Sequence, residues 1–194
     1  MTVMTSVEDL RRLHQRRVPK MFYDYAESGS WTETTFRRNK YAFDEIRLRQ
    51  RVAKDISTRR IVGTMLGETQ RMPVALAPTG LTGMQHANGE ILAAQAAEEF
   101  GVPFTLSTMS ICSIEDVAAQ TRKPFWFQLY VMRDREFIAD LIARAKTAGC
   151  SALVLTLDLQ IIGQRHKDIK NQMTAPPKLT LKNLINMASK PRWC

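Results

Sequence analysis

The 194-residue sequence has few of the features that mark membrane-spanning, secreted or disulfide-rich proteins. It contains no run of about 18 apolar residues, which excludes an ordinary transmembrane helix. Its opening stretch, MTVMTSVEDLRRLHQ, lacks the apolar segment of a secretory signal. The three cysteines are widely spaced and form no CxxC pair, so neither a disulfide framework nor a metal site is expected (Cys112, Cys150, Cys194). We therefore expect a protein of the reducing cytoplasm.

Acidic residues are scarce relative to basic ones, since 19 Asp and Glu face 28 Lys and Arg, for a net charge of +9. Half of the basic residues lie in the first 60 positions. Such a concentration of positive charge could mark a nucleic-acid-binding surface. Acids are interleaved there, however, and no helix-turn-helix, zinc-finger or RNP motif occurs. We expect no nucleic-acid partner, but a solvated basic surface or an affinity for anionic lipid or an anionic ligand. The composition, 44% hydrophobic and 24% charged, excludes collagen, coiled coil and extensive disorder.

Helical patterns occupy the first part of the chain. Ser6 and Asp9 form a weak capping box at the start of the first predicted helix, and Pro19 precedes the second. The segment 46–52, IRLRQRV, is compatible with a strand. The predicted helices cover residues 6–17, 20–28 and 32–46.

The pattern changes near residue 73, where short apolar runs begin to alternate with amphipathic stretches. The predicted strands begin near residues 74, 103, 126 and 153, and the predicted helices between them cover 89–101, 113–120 and 135–149. Continuously apolar strands between helices are typical of a parallel sheet that is covered on both faces. A doubly wound sheet and a (β/α)8 barrel share this pattern.

Two features favour the barrel. The first strand is not followed by the GxGxxG turn of a dinucleotide-binding unit. Every strand also ends in polar or conformationally special residues, at the rim where a barrel builds its active site. Eight units of about 26 residues need roughly 210 residues, but only 121 follow position 73. We therefore expect an α/β fold, with N-terminal helices (1–70), about the first four βα units of a (β/α)8 barrel (71–172), and the start of the loop after the fourth strand (173–194).

Five stretches of the sequence resemble, in order and spacing, the FMN-dependent α-hydroxy-acid dehydrogenases and oxidases. They are PKMFYDYAESG (19–29), PVALAPTG (73–80), GVPFTLSTMS (101–110), FWFQLYV (125–131) and ALVLTLDLQIIGQRHKDIKN (152–171). The tail is most similar to the bacterial L-lactate dehydrogenase branch. The resemblance implies a (β/α)8 barrel with FMN at its C-terminal rim. It also implies oxidation of an L-2-hydroxy acid to the 2-keto acid, and a homo-oligomer at full length. The electron acceptor stays open between quinone, cytochrome and oxygen.

The resemblance assigns the cofactor contacts to the strand ends. A turn without bulky side chains lets a flat ring approach the backbone. Neutral donors and acceptors match the carbonyl and N–H groups of a flavin pyrimidine. The alternatives are an ordinary Pro-Thr-Gly turn and side chains that cap the strand ends. The expected FMN contacts are Pro78, Thr79, Gly80, Ser107, Gln128 and Thr156.

The resemblance also assigns substrate contacts to Tyr25, Tyr130 and Arg165, and to Asp158 the role of orienting the catalytic histidine. The alternatives are a helix-face aromatic at Tyr25, a solvated acid at Asp158, and one more arginine of a basic loop, QRHKDIK, at Arg165. The family's base lies in a His-Gly-Gly-Arg stretch that these 194 residues do not contain. We therefore expect the isolated chain to be inactive and to bind FMN weakly or not at all.

The tail after Pro177 combines apolar residues with lysines, which predicts a basic amphipathic segment. In several membrane-bound members of the family this loop contacts lipid. We therefore expect peripheral binding at the inner face of the cell membrane, with a helix that packs on the barrel as the alternative. A non-catalytic half-barrel, acting with another chain or with a membrane, is the alternative function. The segment consists of Leu179, Leu181, Leu184, Ile185 and Met187, with Lys178, Lys182 and Lys190.

Overall fold

The computed structural model describes residues 3–158, 161, 163–174, 176–177 and 179–193. Lys178 and Cys194, named above, lie outside the described residues. The contacts divide the chain into two compact units, one of residues 1–54 with 162–194 and one of residues 55–161. The sequence boundary expected at residue 70 thus falls inside the second unit. In the described part of the chain, no helix has the length and apolar character needed to cross a bilayer.

In chain order the elements are α1 (Val7–Arg17), α2 (Lys20–Ala26), α3 (Thr34–Asp44), β1 (Gly63–Met65), β2 (Glu68–Gln70), α4 (Thr82–Gln85), α5 (Gly89–Phe100), β3 (Thr105–Ser107), α6 (Ile114–Gln120), β4 (Trp126–Tyr130), α7 (Arg135–Thr147), β5 (Ala152–Thr156), α8 (His166–Asn171) and α9 (Leu181–Ala188).

The second unit contains a parallel sheet of three strands in the order β3-β4-β5. The first predicted strand, expected near residue 74, is reduced to one parallel bridge between Leu76 and Phe104. Two backbone bonds make this bridge, from Leu76 N to the Pro103 carbonyl and from Thr105 N to the Leu76 carbonyl. Pro73 and Pro78 limit it, because a proline has no N–H to add to a ladder.

Helices α5, α6 and α7 alternate with the strands in the order that the sequence predicted. They pack on the sheet around one apolar core. Ser113 caps α6 in a capping box with Asp116, and Asp134 caps α7. Gly101 ends α5 at a φ of 84°, the left-handed conformation that glycine adopts most easily. Core side chains come from β3, β4 and the three helices and include Leu106, Phe127, Leu129, Ala97, Val117 and Leu141.

The strand prediction for 46–52 is wrong, because those residues have no regular structure. Leu48, which alternates with charged residues in the sequence, is 92% exposed, so this alternation does not mark a buried strand face. The antiparallel pair β1–β2 occurs further along, joined by a tight turn at Leu66 and Gly67 with φ angles of 49° and 83°. Positive φ at both central positions is the geometry of a hairpin turn, here with leucine where asparagine is usual.

The first unit is built around the short helix α2, whose Met21, Phe22 and Tyr23 are buried. Helices α1, α8 and α9 contact it. The expected capping box of Ser6 and Asp9 is present at the start of α1. The basic stretch QRHKDIK, expected as a loop, forms helix α8 from residue 166 onward.

Candidate functional site

Three of the residues expected at the cofactor form a continuous row of hydrogen bonds across the sheet. Ser107 Oγ donates to Gln128 Oε1 at 3.1 Å, and Gln128 Nε2 donates to Thr156 Oγ1 at 2.8 Å. The register explains this row: Ser107 pairs with Gln128, and Thr156 pairs with Tyr130, which lies two residues beyond Gln128 on the same face. Gln128 is 1% exposed. We refer to Ser107, Gln128 and Thr156 as the polar row.

Thr108, which the site prediction does not include, closes the end of the sheet beside the polar row. Its hydroxyl donates to the Gln128 carbonyl and accepts from Tyr130 N at 3.2 Å, and its own N–H donates to Gln128 Oε1 at 3.3 Å. This side chain satisfies backbone groups where the β3–β4 ladder stops. Strand-end capping, the alternative considered for the polar row, is therefore done chiefly by Thr108. Its place directly after an apolar strand is the only sequence signal for the role.

The loop that follows the first predicted strand lies next to the polar row. Leu81 N donates to the Met109 carbonyl at 2.8 Å, and Met109 N donates to Ser107 Oγ at 3.1 Å. Pro78 and Thr79 are exposed and Gly80 is half-buried. Leu81, the residue after the Pro78–Gly80 turn, is thus linked to the polar row through two hydrogen bonds.

A buried carboxylate lies behind this loop. Glu90, the second residue of α5, is 2% exposed, and its Oε1 accepts from Gly83 N at 2.9 Å and from Ile111 N at 3.0 Å. Burial raises the pKa of the Glu90 carboxyl. The hydrogen bonds from the N–H groups of Ile111 and Gly83 lower it, and the net shift of the pKa is downward. Sequence reasoning missed this residue, since an acid in the first turn of a helix is usually exposed.

The other site residues expected in the second unit lie at the ends of β4 and β5. Tyr130 is the last residue of β4 and is half-buried. Asp158 lies two residues beyond Thr156 and is exposed, so its carboxylate is open to solvent.

The first unit brings together Tyr25 and Arg165, two of the residues expected at the substrate. The Arg165 guanidinium lies 4.6 Å from the centroid of the Tyr25 ring and donates to Ser28 Oγ at 2.9 Å and to the Tyr25 carbonyl. Arg165 Nε also lies 2.9 Å from Asp168 Oδ2 in an ion pair. Arg165 is therefore the N-cap residue of a helix, anchored by α2 and α8, and not a solvated loop arginine.

Asp168 is the counter-ion of Arg165 and was not among the expected site residues. Burial raises the pKa of Asp168, Arg165 lowers it, and the negative charge of Asp24 raises it, with a net upward shift. Asp24 is itself buried; its Oδ2 accepts from Asn171 Nδ2 at 2.7 Å and pairs with Lys20. The spacing of three residues between Arg165 and Asp168 on a helix was the signal that could have identified the pair.

The polar row suits the pyrimidine edge of a flavin. Gln128 Nε2 carries two N–H groups, of which Thr156 takes one, and the Thr156 hydroxyl can still donate. These are neutral donors at converging strand ends, which match ring carbonyls without adding charge. Among the described residues, no three His, Cys, Asp or Glu side chains are grouped as a metal site would require.

Comparisons with known proteins identify the family of the chain. Residues 14–194 match the family model of the FMN-dependent dehydrogenases. An L-lactate dehydrogenase of Acinetobacter baumannii is 44% identical over 191 residues, which are 98% of this chain and 50% of that protein. An L-lactate dehydrogenase of Caulobacter vibrioides matches with the same identity and coverage. The chain thus spans about half the length of the curated relatives it matches.

Solved structures give the same result. The structure of (S)-mandelate dehydrogenase, a monotopic membrane protein, superposes with a TM-score of 0.92 at 38% identity, over 99% of this chain and 51% of its own. A lactate oxidase of Pediococcus acidilactici gives 0.85 at 30% identity, over 96% of this chain and 52% of its own. These neighbours are (β/α)8-barrel flavoenzymes, so the parallel sheet and its helices are part of such a barrel. The chain belongs to the family of FMN-dependent dehydrogenases, whose cofactor is FMN.

Proposed function

We propose that this chain supplies the flavin-ring contacts and part of the substrate contacts of an active site that oxidises L-lactate, or a similar L-2-hydroxy acid, to the 2-keto acid. The observation that carries the proposal is the polar row at the end of three parallel strands, next to the Pro78–Gly80 loop. FMN, when bound, accepts the two electrons. Since the 194 residues contain no His-Gly-Gly-Arg stretch, we expect no turnover from this chain alone.

On the cofactor side, Gln128 and Thr156 each offer a remaining hydrogen-bond donor to the ring, and Ser107 holds the Gln128 amide in its orientation. The exposed turn of Pro78, Thr79 and Gly80 presents backbone to a flat ring. Because the phosphate-binding loops of the family belong to its last strands, these contacts recognise the ring and not the phosphate. Riboflavin and FMN should therefore bind this chain alike.

On the substrate side, Arg165 and Tyr25 bind the carboxylate of the hydroxy acid, and Tyr130 contributes a second phenol. Because Arg165 Nε and Nη2 already contact Asp168, Ser28 and the Tyr25 carbonyl, the guanidinium would bind the carboxylate through Nη1, while a phenol donates without adding charge. Asp158, exposed at the end of β5, orients the histidine base and stabilises its protonated form.

Titration of the chain with riboflavin and with FMN tests the cofactor proposal, with flavin fluorescence as the readout. The sequence leaves open weak binding or none, and the proposal requires weak binding of equal strength for the two flavins. Thr156→Val, which removes one hydroxyl from a half-buried position, should reduce it roughly fivefold or more. Thr147→Val, on the exposed end of α7, is the matched control and should leave the affinity unchanged. No binding up to the solubility limit, or equal affinities for wild type and Thr156→Val, would contradict the proposal.

A second function, attachment to a membrane surface, is favoured by the orientation of α9. Its polar side faces the protein: buried Asn183 donates to the Asn171 carbonyl, and Asn186 accepts from Lys20 N. Its apolar side faces outward, with exposed fractions of 75% for Leu181, 45% for Leu184 and 64% for Ile185. A short helix with apolar side chains outward and lysines beside them is suited to the interface of an anionic bilayer.

Pelleting with vesicles tests the membrane proposal. Wild type should pellet with vesicles that contain phosphatidylserine, and less at high salt, because exposed charges are screened. Ile185→Glu should abolish most of this binding, while Ile169→Glu, at a similarly exposed position on α8, should retain it. Equal pelleting of the two variants would exclude α9 as the membrane contact.

A further inference from the structure

Glu90 joins two loops that come from different parts of the sheet. Its Oε1 accepts from the N–H of Gly83, in the short helix α4 that follows the Pro78–Gly80 turn, and from the N–H of Ile111, in the segment after β3. A carboxylate oxygen with two backbone donors forms strong, directional hydrogen bonds. The negative charge also lies in the first turn of α5, where the helix dipole favours it.

Two glycines allow the close approach that these bonds require. A Cβ on Gly83 would lie 2.6 Å from the Ile111 Cβ and 3.1 Å from Glu90 Oε2. A Cβ on Gly89 would lie 2.8 Å from the Thr82 carbonyl oxygen. Any larger residue at either position would therefore push the loop away from the start of α5.

The Glu90 carboxylate is not in contact with solvent, and the proposed chemistry does not use it. It is 2% exposed, and the neighbouring Cys112 is buried. Burial raises the pKa of the Cys112 thiol, and the Glu90 carboxylate raises it further, so this neighbour stays neutral. Among the described residues no cation pairs with this buried charge, which is costly. The two backbone N–H groups stabilise Oε1, while Oε2 is buried without a hydrogen-bond partner in the part of the chain that the structure describes.

The two joined loops carry the residues expected at the flavin. Gly83 follows Pro78, Thr79 and Gly80 by a few residues, and Ile111 follows Ser107. We propose that Glu90 is a positioning residue of the flavin site: it fixes the Pro78–Gly83 loop against the segment after Ser107, so that the turn and the polar row face the same ring. This inference rests on the function proposed above.

The test combines amide hydrogen exchange with riboflavin affinity in wild type, Glu90→Ala, Glu90→Gln and Gly83→Ala. In Glu90→Ala the amides of Gly83 and Ile111 should exchange about tenfold faster or more, and riboflavin should bind about fivefold more weakly. Glu90→Gln keeps an acceptor oxygen and should recover most of both properties. Gly83→Ala leaves the charge in place but pushes the loop from α5, so it should both speed amide exchange at position 83 and weaken riboflavin binding. Glu99→Gln, an exposed acid of the same helix, is the control.

The outcomes separate the two proposals. If wild type does not bind riboflavin, the proposed function fails, while the exchange rates of Gly83 and Ile111 still show whether Glu90 fixes the loops. If wild type binds and Glu90→Ala binds equally well, the positioning role is overturned. Unchanged exchange at both amides in Glu90→Ala overturns it as well. Near-UV circular dichroism of each variant, recorded at the titration temperature, ensures that only folded protein is compared.

Discussion

Replacing Gln128 with leucine should destabilise the second unit far more than an average glutamine substitution. Leucine has a similar volume but no polar atoms, so the Ser107 hydroxyl loses its acceptor and the Thr156 hydroxyl loses its donor, while the Thr108 N–H keeps its bond to the Gln128 carbonyl at 3.1 Å. A buried donor left without a partner costs about 1–3 kcal/mol. Ser107 is buried and Thr156 half-buried, so we expect a total loss of about 1–3 kcal/mol.

Urea unfolding measures this loss through the fluorescence of Trp126, which is buried two residues before Gln128 on the same face. Replacing Trp31 and Trp193 with phenylalanine leaves Trp126 as the only reporter and makes the signal specific to the second unit. Gln95→Leu is the control, because Gln95 is exposed and its amide donates only to the Gln120 carbonyl. We expect the control to change the free energy of unfolding by less than about 0.5 kcal/mol.

A loss for Gln128→Leu that is no larger than that of Gln95→Leu would refute the reasoning. It would mean that water or backbone movement satisfies the Ser107 hydroxyl without the amide. The polar row would then be an incidental contact and not a fixed feature of the rim.

Two further predictions concern a surface ion pair and a glycine. Arg144 holds the pKa of Glu115 at about 2, chiefly by hydrogen bonding, so their contribution to stability is present above the ordinary glutamate pKa of 4.5 and is lost as the pH falls towards 2. Since both side chains are more than a third exposed, Arg144→Met should cost at most about 1 kcal/mol at neutral pH, and a carbon NMR titration should show the Glu115 pKa rising; an unchanged pKa would contradict this. Gly101→Ala should lower the thermal stability of the protein more than Gly149→Ala. Both glycines have a positive φ, but only at Gly101 would the new Cβ contact a neighbouring arginine side chain, at 2.7 Å. Equal losses of stability in the two variants would show that the backbone conformation alone decides.

The sequence predicts those elements whose signals are local. Ser6 with Asp9 and Ser113 with Asp116 mark helix starts because the capping side chains act within a single turn. The β1–β2 hairpin carries no such signal, because Leu66 has no intrinsic preference for a positive φ. Helix α8 has no apolar stripe, and it forms where Arg165 and Asp168 pair.

The polar row was predictable for a topological reason. Parallel strands end at one edge of a sheet, so polar residues at the ends of successive strands must lie together. Their mutual hydrogen bonds depend on the register, which places Gln128 opposite Ser107, and a shift by one residue would turn Gln128 to the other face. Sequence reasoning therefore predicted the edge and the residues, while the register determined the pairing.

Glu90 and α9 show what a pattern on a helix cannot decide. Helix α5, which carries Glu90, and helix α9 are both amphipathic by sequence. A helical period shows which residues share a face but not what that face contacts. The acid of α5 is buried because Gly83 and Ile111 bring two N–H groups to it, and both come from outside the helix. The apolar face of α9 is exposed because Asn183, on its opposite face, hydrogen-bonds to Asn171. In α5 the polar contact adds to an apolar stripe that is itself buried in the core, whereas in α9 the polar contact and not the apolar stripe sets the orientation.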